Sequence, residues 1–216
     1  MDALAKEFAG QPVLFLEQRY TSAAGERVSR FWAGFAGGQA YYPLAMVDSG
    51  QEVASGNADF QALYRQMVQT ALARPAQAEV SARYRQVEGR VQAEVTVTNG
   101  SAAGDAPATL SPANGATVHI LVYEHARVLW TGRYVRGAAW TAVEEALPPG
   151  ATRTFSLETG ALTVQDWSQV RVVALVDYRP GGNTGPYDML QAALGTLDVA
   201  EPEGVVFVPL VMMAGQ

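Results

Sequence analysis

The stretch RVQAEVTVTN, residues 90–99, alternates strictly. Val91, Ala93, Val95 and Val97 face one way; Gln92, Glu94, Thr96 and Thr98 face the other. A period of two is that of a strand with one buried and one wetted face. Such a segment is stable only when its apolar face lies against another layer. The pattern recurs in AEVSARYRQ, ATVHILVYE, VLWTGRYV, AAWTAVEEAL, ATRTFSLE, QVRVVALVDY and LQAALGTLDV. Turn residues such as Pro148-Pro149-Gly150 and Gly181-Gly182-Asn183 separate them. About seven or eight short strands with turn signals between them predict an antiparallel sandwich.

Before residue 76 the pattern is different. Leu4 and Phe8 share one helical face with Met1 and Ala5, and Gly10 closes the helix. PVLFLEQ follows as a strand, apolar on both faces from Val13 to Leu16, as expected of a buried parallel strand. GERVSRFWAGFAGG puts Val28, Phe31, Trp32 and Phe35 on one helical stripe. YYPLAMVDSGQEVASG reads as strand, Ser-Gly turn and short strand. In the last helix, Phe60, Leu63, Tyr64, Met67, Val68, Ala71 and Leu72 form an amphipathic stripe, with Asn57 or Asp59 as N-cap. The order is α-β-α-β-β-α. The composition shifts near ARPAQAE, so the expected division is a first domain over 1–76, a sandwich over 77–200, and an apolar tail over 201–216.

The order of elements and several phrases resemble a thioredoxin-like domain without its first strand. MDALAKEFAG is similar to the end of the helix that follows the family's redox motif, and PVLFLEQ to the next strand. In YYPLAMVDSGQ, Pro43 matches a proline that the family holds in cis, so the resemblance implies a cis Tyr42–Pro43 bond. The Ser49-Gly50 turn and EVASG match the hairpin after it. A thioredoxin-like unit followed by an Ig-like β-sandwich resembles bacterial extracytoplasmic proteins of the Omp28-like kind. The fold class expected is therefore α/β plus all-β: a truncated thioredoxin-like domain, then an antiparallel Ig-like sandwich.

The resemblance also marks a departure. The family's first strand and its Cys-x-x-Cys would lie before Met1. Either Met1 is internal to a longer gene or the strand is lost. In the family that strand lies between PVLFLEQ and PLAMVD. Direct closure of these two neighbours is the first expectation, a strand from a partner chain the second. The tail GVVFVPLVMMAGQ is the third, because Pro209 disfavours a central strand.

The chain contains no cysteine. Disulfides, thiol nucleophiles and Cys-ligated zinc are thereby excluded within it. The net charge of −6 argues against nucleic acid and anionic membranes as main partners. No apolar run reaches the ~18 residues of a membrane span. MDALAKEF lacks the form of a secretory signal, so an extracytoplasmic location requires a leader upstream.

His119 and His125 sit six apart on one strand and are expected to face solvent. Glu124 has the wrong parity to join them in a metal site. Glu144 and Glu145 are adjacent and point to opposite faces. No G-x-S-x-G elbow surrounds Ser101, Ser111, Ser156 or Ser168. Asn99-Gly100-Ser101 matches a glycosylation acceptor and reads as a turn. YRPGGNTGPYDM, residues 178–189, matches no nucleotide fingerprint and reads as a long hairpin loop. Loops at sandwich ends carry binding residues, which makes Tyr178, Arg179 and Tyr187 candidates. The resemblance adds Tyr42 and Pro43, as a fold-only feature first and a retained groove second.

No cofactor or metal is implied. The reading is a non-enzymatic extracytoplasmic scaffold or binding protein, with a protein partner or a homodimer as partner class. The alternative is a thiol-disulfide oxidoreductase whose cysteines lie upstream of Met1; a self-associating structural protein is a third. A chain without a thiol cannot exchange disulfides. Insulin disulfide reduction in its presence should therefore run at the uncatalysed rate, and metal-free reductase activity of the pure chain would contradict this reading.

Overall fold

The computed structural model describes residues 2–18, 25–56, 59–100, 109–128 and 132–198. The chain opens with α1 (Asp2–Glu7), runs extended, and continues through α2 (Gly25–Gly34), the hairpin β1 (Leu44–Val47) and β2 (Glu52–Ser55), and α3 (Phe60–Leu72). Then come β3 (Ala78–Val87), β4 (Arg90–Asn99), β5 (Thr117–Glu124), β6 (Tyr134–Ala142), β7 (Thr152–Glu158), β8 (Val170–Tyr178), β9 (Asp188–Leu194) and β10 (Thr196–Leu197). The fold is β-rich, with few helices. Two four-stranded sheets, ordered β10-β3-β4-β7 and β6-β5-β8-β9, pack face to face. Every pairing in them is antiparallel except β10 with β3.

The alternation of β4 is realised: Val91, Ala93, Val95 and Val97 are buried and Glu94 is exposed. They meet Val118, Ile120 and Val122 of β5 and Val172, Ala174 and Val176 of β8 in one core. Strand β5 does not alternate in burial, because a further layer covers its other face. There Leu121, Tyr123, Val135, Val173 and Leu175 form a second apolar cluster, against which Leu14 and Leu16 pack.

This contact overturns the reading of PVLFLEQ. Among the described residues it is no sheet strand; its one ladder contact is a parallel bridge from Glu17 to Tyr134, on the edge strand β6. Its two apolar faces serve two cores. Val13 and Phe15 pack against Leu4, Phe8, Ala54, Tyr64, Met67 and Val68, while Leu14 and Leu16 pack on the sandwich. Direct closure onto β1 does not occur, since β1 pairs only with β2 among the described residues. The tail over 201–216 lies outside those residues. The Tyr42–Pro43 bond is cis.

Two strand readings are also corrected. Tyr134 and Val135 of VLWTGRYV and the first five residues of AAWTAVEEAL share a single strand, β6, which bulges opposite Val122 and Tyr123; residues 129–131 lie outside the described residues. LQAALGTLDV is cut at Gly195: β9 pairs with β8, whereas β10 crosses to β3. Asp59 caps α3, accepting from the Ala62 N–H, while the other candidate, Asn57, lies outside the described residues.

The turn between β1 and β2 fixes α2. Asp48 and Ser49 both have positive φ, 47° and 58°, and Gly50 follows at 101°. Non-glycine residues adopt this region rarely. Glycines at the contact let two backbones meet: a Cβ on Gly34 would overlap the Gly50 carbonyl oxygen, and one on Gly50 would overlap that of Arg30. Gly34→Ala should therefore cost about 1–3 kcal/mol. Urea unfolding of the two proteins checks it, with Gly160→Ala as the comparison: Gly160, like Gly34, lies outside the left-handed region but has open space around its Cβ position.

Candidate functional site

Helix α2 does not bury the apolar stripe that its sequence offers. Trp32 is 42% exposed, and Val28 and Phe35 are only half-buried. The buried residues are Arg27, Arg30 and Phe31. Positions i, i+3 and i+4 share a helix face, so α2 turns two guanidinium groups toward the sandwich.

What receives them is Asp177 on β8, fully buried. Arg27 Nη1 donates to Asp177 Oδ2 at 2.8 Å. Arg30 donates from Nε to Oδ2 and from Nη2 to Oδ1, each at 3.1 Å. Arg27 Nη2 also donates to Ser49 Oγ at 3.0 Å, and Arg30 pairs with Glu26 one turn back. His119 of β5 is 1% exposed, not solvent-facing as its spacing suggested. Its Nε2 lies 3.1 Å from Arg30 Nη2 and 3.3 Å from Asp177 Oδ1.

Burial opposes ionisation of Asp177, but the hydrogen bond and charge of His119 together with Arg27 and Arg30 outweigh it. Its carboxyl is held well below the usual range. Burial pushes the His119 pKa down, and the nearby arginines push it further, against the pull of Asp177. His119 is thus neutral near pH 7. Nε2 accepts from Arg30 Nη2 when the ring proton is on Nδ1, and donates to Asp177 Oδ1 when it is on Nε2.

A second network borders the first. Arg74, just beyond α3, bonds Asp48 Oδ2 at 3.2 Å and pairs with Asp188 on β9. Burial raises the Asp48 pKa, with Arg74 opposing. The loop before β9 closes the edge. Tyr187 carries the Arg30 guanidinium 3.9 Å and that of Arg179 4.7 Å from its ring centroid. Arg179 also donates to the carbonyls of Asn183 and Gly185, at 2.7 and 3.2 Å.

The structure therefore brings three of the five sequence candidates to one corner, with internal duties. Tyr178 is buried, Arg179 braces its own loop, and Tyr187 stacks beside α2. Tyr42 and Pro43 lie elsewhere, ahead of β1. Tyr42 is 70% and Tyr41 57% exposed. The Tyr41 backbone is pinned, its N–H donating to Ser55 Oγ at 2.6 Å and its carbonyl accepting from that hydroxyl at 3.1 Å. Sequence reasoning missed Arg27, Arg30, His119 and Asp177. The available signal was a pair of arginines three apart on a helix, with an aspartate inside the apolar run VVALVDY.

The chemistry open to this corner is limited. Two hydroxyls touch the arginines: Ser49 Oγ accepts from Arg27, and Ser29 Oγ accepts from Arg30 while donating to the Glu26 backbone carbonyl. Among the described residues no group of three His, Asp or Glu could hold a metal ion. The groove lined by Asp48, Gln51, Glu52, Thr70, Ala71 and Arg74 measures about 190 Å³. Small-molecule sites usually exceed roughly 300 Å³. No known family model matches the chain, and no curated protein matches it.

Asp177→Asn should cost about 3–5 kcal/mol, because two buried guanidiniums lose their common counter-charge. Replacing Arg27, Arg30 and Asp177 together by Met, Met and Leu should cost less than Asp177→Asn alone. Chemical denaturation of the two variants orders them.

Proposed function

We propose that the chain is a non-enzymatic binding scaffold: a truncated thioredoxin-like α/β layer docked on an Ig-like sandwich, working in an extracytoplasmic compartment. The observation that carries this reading is the division of side chains. The buried charges between the layers, Arg27, Arg30, Asp177 and Asp188, are spent on one another or on Arg74 in holding α2 and α3 to the sandwich. Of the aromatics left outside, which include Trp32, Phe60 and Trp140, the two most exposed are the adjacent Tyr41 and Tyr42, and Ser55 fixes the backbone at Tyr41. Rigid, exposed tyrosines are favoured at protein interfaces, where they bring contact area at low entropic cost. The partner class is a protein, a second copy included.

A photo-crosslinking amino acid at position 42, introduced in the native host, tests this. A discrete adduct with a protein should form and be lost in Tyr41→Ser. An adduct of twice the chain mass identifies a homodimer. A protein that gives no adduct at position 42 or at position 41 contradicts the proposal.

A further inference from the structure

We propose that α2 is an acid-released strap, and that the buried imidazole of His119 is the group whose protonation lets it go. The inference stands on the arrangement of charges under the helix. Two cations of α2, Arg27 and Arg30, share the single carboxylate of Asp177, and Glu26 pairs with Arg30 from the half-exposed side. His119 Nε2 sits at the junction, within 3.3 Å of both Arg30 Nη2 and Asp177 Oδ1. A neutral ring satisfies one of these neighbours, accepting from Arg30 or donating to Asp177 according to its tautomer. Protonation adds a third cation beside Arg27 and Arg30: its Nε2–H points at Asp177 Oδ1, which Arg30 already occupies, and lies 3.1 Å from the Arg30 Nη2 donor. Three cations then face two carboxylates in a buried space. The cluster is already short of an acceptor, since Arg27 Nε is buried without a hydrogen-bond partner among the described residues.

Every element packed around the junction contributes. Helix α2 supplies Glu26, Arg27 and Arg30, and the β1–β2 turn supplies Asp48 and Ser49. Arg74 comes from the end of α3, Asp177 from β8, Arg179 and Tyr187 from the following loop, and Asp188 from β9. The residue paired with His119 on β6 is Trp140, which does not titrate.

The direction follows from linkage. The His119 pKa is lowered in the closed state by burial, then by Arg27 and Arg30. In the released state the ring meets water and titrates near 6.5. Below that pH the released state binds more protons, so its population rises up to about tenfold per pH unit, until the closed-state pKa is passed. Above about 6.5 the equilibrium is flat. The carboxylates cannot produce the same profile. Asp177 is depressed, so its contribution is lost only below the ordinary aspartate range near 4. Asp48 is raised, so its protonation favours the closed state. His125 is also lowered by burial, but it lies just beyond the end of β5 with its ring edge-on to Tyr123, and the arginines that lower it further are Arg133 and Arg171, not those of α2.

Amide hydrogen exchange over residues 25–34, corrected for intrinsic rates, reads the release between pH 7.5 and 4.5. Wild-type exchange should rise up to about tenfold per pH unit below 6.5. His119→Gln should remove this slope, and His125→Gln should leave it unchanged. A flat wild-type profile overturns the proposal, as does an equal slope in His119→Gln or a lost slope in His125→Gln. Should His119→Gln fail to fold, wild-type NMR decides: the His119 ring titration must share its midpoint with α2 exchange, and titration without a change in that exchange rejects the strap. The test does not involve Tyr41 or Tyr42, so its outcome is independent of the binding reading.

Discussion

One buried carboxylate organises the outer half of this molecule. Asp177 lies on β8 with its side chain on the face away from the sandwich core, and both arginines of α2 converge on it. Taking three ions out of water is costly, and their mutual attraction repays it only when geometry and further hydrogen bonds are good. The structure meets that demand locally. Ser49 accepts from Arg27, Glu26 pairs with Arg30, and Tyr187 lies against the Arg30 guanidinium. The turn that positions Ser49 is built from consecutive left-handed residues. Its backbone approaches α2 closely only because Gly34 and Gly50 have no side chain. Strain in the turn, two glycines and four charges thus belong to a single contact.

The second constraint is covalent and apolar. Residues 13–16 alternate between two cores, so the first layer cannot shift without exposing either Val13 and Phe15 or Leu14 and Leu16. Glu17 continues the segment onto the sandwich by exchanging backbone hydrogen bonds with Arg133 and Val135. The outer face of the β6-β5-β8-β9 sheet is therefore covered by an apolar ribbon on one part and by an ionic contact on another. This is why β5 is buried along its whole length although the sheet stands at the surface of the sandwich.

The legible parts of the sequence were those where one physical rule acts alone. Alternation identified Val91 to Val97 because a single core lies behind that strand. The stripe of α3 held because Tyr64, Met67 and Val68 face one apolar layer. The rule failed where two partners compete. PVLFLEQ has the two apolar faces of a central strand, yet they are faced by side chains of two layers instead of by neighbouring strands. In α2 the apolar stripe lost to the arginine face because the facing surface holds Asp177 and His119. Nothing local to residues 25–34 tells of an aspartate about 150 positions away. His119 was misplaced for the same reason: parity tells that it shares a face with other odd positions, but not that a helix covers that face. The Tyr42–Pro43 geometry was legible only through resemblance, since spacing and composition do not distinguish cis from trans.

An ionic contact in this position does something that an apolar one would not. A Met or Leu pair on α2 would bury comparable area, but an apolar face tolerates rotation and sliding of the helix. Asp177 accepts from Arg27 and from two nitrogens of Arg30, and those bonds exist in one rotation and one register only. The apolar stripe of Val28, Trp32 and Phe35 is available as a competing face, and burying it would turn both arginines toward water. Buried ions are weak contributors to stability; what the three bonds to Asp177 add on α2 is a geometric requirement that an apolar contact would not impose. The cost of desolvating the ions is the cost of excluding that alternative. The same choice keeps Trp32 outside, on the surface of the layer that carries Tyr41 and Tyr42.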